Sequence, residues 1–206
     1  MSGWRIVGRW LVRALPPEDR CWGEALLREL DELPRRQRPV WALALLRLNA
    51  ARMPSARVGL WLGALVGLLV VAELAYSNLG PGSAHPSSDQ AAPVLAAYAL
   101  LGLLFVATGF VQRARGETLA DCARTTAIMA AIIIILAFGS SLVIDNVWLH
   151  TVARQPDKID GFAHSPVFQT MRVYLIWTNV LGLLIATPVG AIGAAALGAL
   201  GARARG

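Results

Sequence analysis

The stretch VGLWLGALVGLLVVAELAY, from Val58 to Tyr76, decides the architecture. Its only charged side chain is Glu73, and the rest is Leu, Val, Ala, Gly and aromatics. A helix of about 20 such residues crosses a hydrocarbon core about 30 Å thick. Three further stretches read the same way: Ala91 to Val111, Thr125 to Ile144, and Val173 to Leu200. A soluble core contains one helix this apolar, but four in a chain of 206 residues point to a membrane. The last stretch is longer than a crossing requires, and Pro188 inside it predicts a kink or a tilt.

Composition agrees. The chain is 56% hydrophobic and 16% charged, with mean hydropathy +0.54, whereas a soluble domain carries about 25% charged residues. Intrinsic disorder is excluded by the amount of apolar surface, and a disulfide-stapled secreted fold by the presence of only two cysteines.

The net charge of +6 suggests nucleic acid until its distribution is read. Residues 1–57 hold eleven Arg against six acids, so the positive-inside rule places them in the cytoplasm. The loop SNLGPGSAHPSSDQ (77–90) has no Lys or Arg and is expected outside. Arg113, Arg115 and Arg124 return the next connection to the cytoplasm, and the tail ends with Arg203 and Arg205. Both termini are therefore expected in the cytoplasm of a bacterial cell, with four crossings of its membrane. A cleaved signal peptide is not expected, because Arg5, Arg9 and Arg13 interrupt every apolar run at the N-terminus. Cys21 and Cys122 fall on the cytoplasmic side and are expected as reduced thiols.

The expected fold is all-α: a four-helix transmembrane bundle (58–206), a small cytoplasmic N-terminal helical hairpin within a basic segment (1–57), and a short extracytoplasmic helical cap in the outer loop 145–172. In the basic segment, Trp4, Val7, Trp10 and Leu11 recur at helical spacing with Arg5, Arg9 and Arg13 between them. Such an amphipathic helix suits an anionic membrane surface, or equally a stripe packed on the helices that follow. Pro16 and Pro17 open a helix whose stripe is Trp22, Leu26, Leu30 and Leu33, closed by Pro34. VWALALLRLNAARM (40–53) forms the hairpin's second arm, too short to cross and interrupted by Arg47. Trp4, Arg5, Arg9, Trp10, Arg13 and Trp22 are the candidate contacts to lipid or to a partner. DNA binding is disfavoured, because the second arm is Ala and Leu where a recognition helix needs a polar, base-reading face.

The run LPPEDRCWGEALLREL (15–30) resembles the cytoplasmic helical prefix of uncharacterised actinobacterial multi-pass membrane proteins. It is also similar to helical prefixes attached to some bacterial ABC permeases and membrane signalling proteins. The outer stretch DNVWLHTVARQPDKIDGF (145–162) looks like loops in proteins of the first kind. The resemblance implies an integral membrane protein and supplies no catalytic residues.

Glu73, Asp145 and His150 are the candidate functional polar residues. An acid within a span marks ion or proton handling by default. The plainer reading of Glu73 is that it reaches the outer interface or pairs with Asn78 or Arg172. Asp145, His150, Asp157, Asp160 and His164 supply metal-type ligands at spacings that match no known site, so no metal is assigned. Trp148 sits where an interfacial anchor belongs. No HExxH, GxSxG, Walker lysine loop or GxGxxG occurs on a suitable element. No catalytic residue and no cofactor are therefore expected. Gly182 with Ala186, and Gly190 with Ala194, make small-xxx-small pairs suited to an oligomer face or to packing within the chain. The expected function is that of a non-enzymatic membrane protein whose cytoplasmic segment binds or regulates a partner, with a homo-oligomer as another form of association. The alternative is a small transporter, channel or transporter subunit with Glu73 and Asp145 along a polar path.

Overall fold

The structure, a computed structural model, describes residues 12, 20–32, 34, 54–80 and 91–205. All regular structure among them is helical: α1 (Arg20–Glu32), α2 (Pro54–Leu79), α3 (Ala91–Ala114), α4 (Leu119–Val147), α5 (Leu149–Val152), α6 (Pro156–Ala163) and α7 (Met171–Arg203). The lead helix with Trp4, Arg5, Arg9, Trp10 and Arg13, the second arm of the hairpin at 40–53 and the loop 81–90 lie outside the described residues, as does the side chain of Trp22. Two compact units are distinguished, residues 1–58 and 59–206. In the first, α1 exposes Cys21, Glu24, Ala25, Arg28 and Glu29.

Four helices are long and apolar enough to cross a membrane: α2, α3, α4 and α7. Each outruns the stretch read from hydropathy. α4 begins at Leu119 rather than Thr125, because a cap starts it ahead of its apolar run. Gly116 adopts φ +88°, a left-handed turn that a side chain disfavours. Thr118 then accepts a 3.2 Å hydrogen bond from the Asp121 N–H, and its hydroxyl donates to Asp121 Oδ2 at 2.6 Å. Arg124 closes the turn with a 3.0 Å ion pair to Asp121. α7 has 33 residues with Pro188 inside it. At about 1.5 Å per residue this exceeds the hydrocarbon thickness, so the helix tilts or projects beyond it.

Glycines bring the spans together. In lipid no hydrophobic force separates helix from tail, so spans associate through close packing, which small residues permit. Gly59, Gly63 and Gly67, one helical turn apart on α2, are all buried against α4. A Cβ at Gly63 would stand 2.9 Å from both the Met129 carbonyl and Ile132 Cβ. α7 uses Gly182 against the Phe138 ring, Gly190 against Ile134 and Gly198 against Thr126, all on α4. On α3, Gly109 meets the Gly198 carbonyl, and Gly201 of α7 meets the Val106 carbonyl in return. Gly182, Gly190, Gly198 and Gly201 of α7 thus face neighbours within the chain, while a Cβ added at Gly193 would meet nothing within 4 Å.

The two short helices are tied to one end of this bundle. Val152 is fully buried with Ile144 and Leu175, flanked by Ala75, Leu79, Leu149, Met171 and Tyr174. Gln155, also buried, donates a 3.1 Å hydrogen bond from Nε2 to the Asn78 carbonyl. Tyr174 meets the Phe162 ring at a tilt and the Phe168 ring edge-on, with ring centroids 5.9 and 5.7 Å away.

Candidate functional site

Asp145 is 3% exposed, two residues before the end of α4. Its Oδ2 accepts a 2.7 Å hydrogen bond from Asn179 Nδ2 on α7. The same amide group donates to the Leu175 carbonyl at 2.9 Å, which fixes its orientation. A buried carboxyl needs such a donor, and here an uncharged amide supplies it across a helix–helix contact. Spacing along the sequence identified Asp145 as a candidate but did not reveal this partner, 34 residues away.

Glu73 and Asp145 are not brought together. Glu73 is exposed on α2 and makes no hydrogen bond or ion pair among the described residues. Of the two plainer readings, outer interface or pairing, the pairing is not seen: Asn78 donates to the Leu74 carbonyl at 2.8 Å, and Arg172 is exposed at the start of α7. His150 is exposed on α5. His164, just past the end of α6, and Asp160 approach to 3.4 Å, with about three quarters of each side chain exposed. Among the described residues no group of three or more His, Cys, Asp or Glu is placed to hold a metal ion.

Four further polar groups of the spans turn back on their own helices. Thr108 donates to the Leu104 carbonyl at 2.7 Å, Ser140 to Ala137 at 2.9 Å, Thr178 to Tyr174 at 3.0 Å and Thr187 to Leu183 at 2.7 Å. A hydroxyl bonded to its own helix one turn back is satisfied in an apolar surrounding and presents little to a solute.

A crevice of about 570 Å³ opens among all four spans. Val70 and Leu74 of α2 form one wall, Tyr98 and Leu101 of α3 the other, and α4 and α7 the floor. Among the described residues that line it, Tyr98 and Ser141 are the polar side chains. Its cause is the course of α3. The second half of that helix is locked to α7 by Gly109 and Gly201, whereas Val94 to Leu100 are seven consecutive exposed residues. No signal for the crevice is present in the sequence, because all four stretches look alike in hydropathy. The Gly59, Gly63, Gly67 spacing, by contrast, is visible in the sequence and marks the face of α2 that meets α4.

Compared with protein families, curated proteins and solved structures, the chain matches none.

Proposed function

We propose that this is a non-enzymatic integral membrane protein of the bacterial cytoplasmic membrane, whose cytoplasmic helical segment binds or regulates a protein partner. The observation that supports this reading is the dryness of the bundle. Thr108, Ser140, Thr178 and Thr187 bond to their own helices, and Asp145 is closed off by Asn179 while Glu73 faces outward. A solute path needs polar groups converging between spans, and a partner module does not. In this reading both termini are cytoplasmic, residues 1–57 form a basic helical hairpin with a lead helix on anionic lipid, and α5 and α6 form an extracytoplasmic cap. The likeness of residues 15–30 to cytoplasmic prefixes of multi-pass proteins points the same way.

The test is affinity purification of the full chain in mild detergent, with identification of what accompanies it. A partner held by the cytoplasmic segment is recovered stoichiometrically and is lost when Arg28→Glu and Glu24→Arg reverse the exposed charges of α1. Repeated recovery of the chain alone, at high yield, would sink the reading.

A further inference from the structure

The crevice has two features that specify an occupant. The first is its setting: Tyr98 and Val189, which line it, are 69% and 65% exposed, so it opens sideways from the bundle. At the side of a membrane bundle the medium is hydrocarbon, and an apolar space of this kind does not hold water. Its 570 Å³ is room for about 19 groups the size of a water at ~30 Å³ each, and a methylene is of similar size. The lining runs from Ile133 to Ser141, about 12 Å along α4, so a segment of one acyl chain fits.

The second feature is Glu73. On a helix it lies about 60° around from Val70, on the side away from Leu74, from which it is about 100° around and about 1.5 Å along the axis; Val70 and Leu74 line the crevice and Glu73 does not. The carboxylate therefore stands on the flank of the α2 wall, exposed and without an ion pair among the described residues. It is six residues, about 9 Å, from the end of α2 at Leu79, close to the headgroup level. An unpaired acid inside a span is costly, and a cation completes it.

We propose that the crevice binds one acyl chain of a phospholipid with an amine-bearing headgroup, the chain lying between α2 and α3 and the ammonium meeting the Glu73 carboxylate. The site rests on the bundle lying in a bilayer and not on the partner reading, so either can fail alone.

The full chain is reconstituted into phosphatidylglycerol nanodiscs, whose headgroup carries no cation, with a trace of phosphatidylethanolamine carrying a photoreactive diazirine on one acyl chain. A parallel sample receives phosphatidylglycerol with the same chain. Labelled peptides are mapped by mass spectrometry. The expected result is labelling concentrated on the segments that contain Leu101 and Ile133–Ser141, several-fold stronger with the ethanolamine lipid. Glu73→Gln, an exposed change that leaves the packing intact, should bring the two lipids to equal labelling. Ala186→Leu, which fills the floor, should reduce labelling by both. Equal labelling of the unaltered protein by the two lipids, or labelling spread evenly over all spans, overturns the proposal. So does a Tyr98→Cys variant that crosslinks to a second copy while lipid labelling of the crevice is absent, since a helix of the second copy is then the occupant.

Discussion

Asn179 on α7 donates a 2.7 Å hydrogen bond to the carboxyl of Asp145 on α4, and this pair joins the two central spans at the end where α5 begins. Asp145 is almost wholly buried, so removing the donor leaves a polar group without a partner in a medium that offers no replacement. Asn179→Leu is expected to destabilise the bundle by about 1–3 kcal/mol. Asp145→Leu combined with Asn179→Leu should cost less than the sum of the two single changes, because the orphaned group is then gone. Thermal unfolding in detergent, run as a double-mutant cycle, measures the coupling. Strict additivity would show that the pair does not act as one unit.

The glycines make opposite predictions at different positions. Gly63→Val forces a side chain against the Met129 carbonyl, which cannot move without shifting α4, and should cost about 1–3 kcal/mol or more. Gly193→Ala meets nothing within 4 Å and replaces a poor helix former by the best one. It should be neutral or stabilising by up to about 1 kcal/mol. The same unfolding assay separates the two, and a destabilised Gly193→Ala protein would place a neighbour against that face.

Gln155 is the polar tether between the short helices and the end of α2. Gln155→Ala removes the bond to the Asn78 carbonyl, for about 0.5–1.5 kcal/mol. The loss should be local. Hydrogen exchange is expected to speed up across residues 149–163 while the centre of α4 is unaffected.

At the other end of the bundle, Thr118→Ala deletes both the acceptor for the Asp121 N–H and the donor to its carboxylate. A cost of about 0.5–2 kcal/mol follows, with fraying of the first turn of α4. Thr118→Ser keeps the hydroxyl and should restore most of it. Exchange rates of the amides at 119–122 are the readout.

These residues differ in how far the sequence announced them. Thr118 and Asp121 sit three apart, and a cap is a local device, so spacing alone reveals it. Asp145 stands out because an acid at the edge of an apolar run is conspicuous. Asn179 was one polar residue among several in its span, and nothing within α7 pairs it with α4. For Glu73 the sequence left open whether it reaches the outer interface or pairs with Asn78 or Arg172, for the same reason: nearness in sequence or at the same membrane depth does not say which side of a helix faces which neighbour. With all four spans almost uniformly apolar, there is no amphipathic stripe to orient them.

Four helices long and apolar enough to cross a membrane follow from composition alone, because in hydrocarbon a run of about 20 apolar residues can satisfy its own backbone hydrogen bonds only as a helix or within a closed barrel. That conclusion is local to each stretch and needs no knowledge of the others. Which faces meet is a property of the packed bundle. The approach of α2 to α4 through Gly59, Gly63 and Gly67, the Asp145–Asn179 bond, and the divergence of α3 that leaves the crevice beside Tyr98 all depend on helix rotation and crossing. In lipid those are set by shape and by a few hydrogen bonds, and hydropathy carries no record of either.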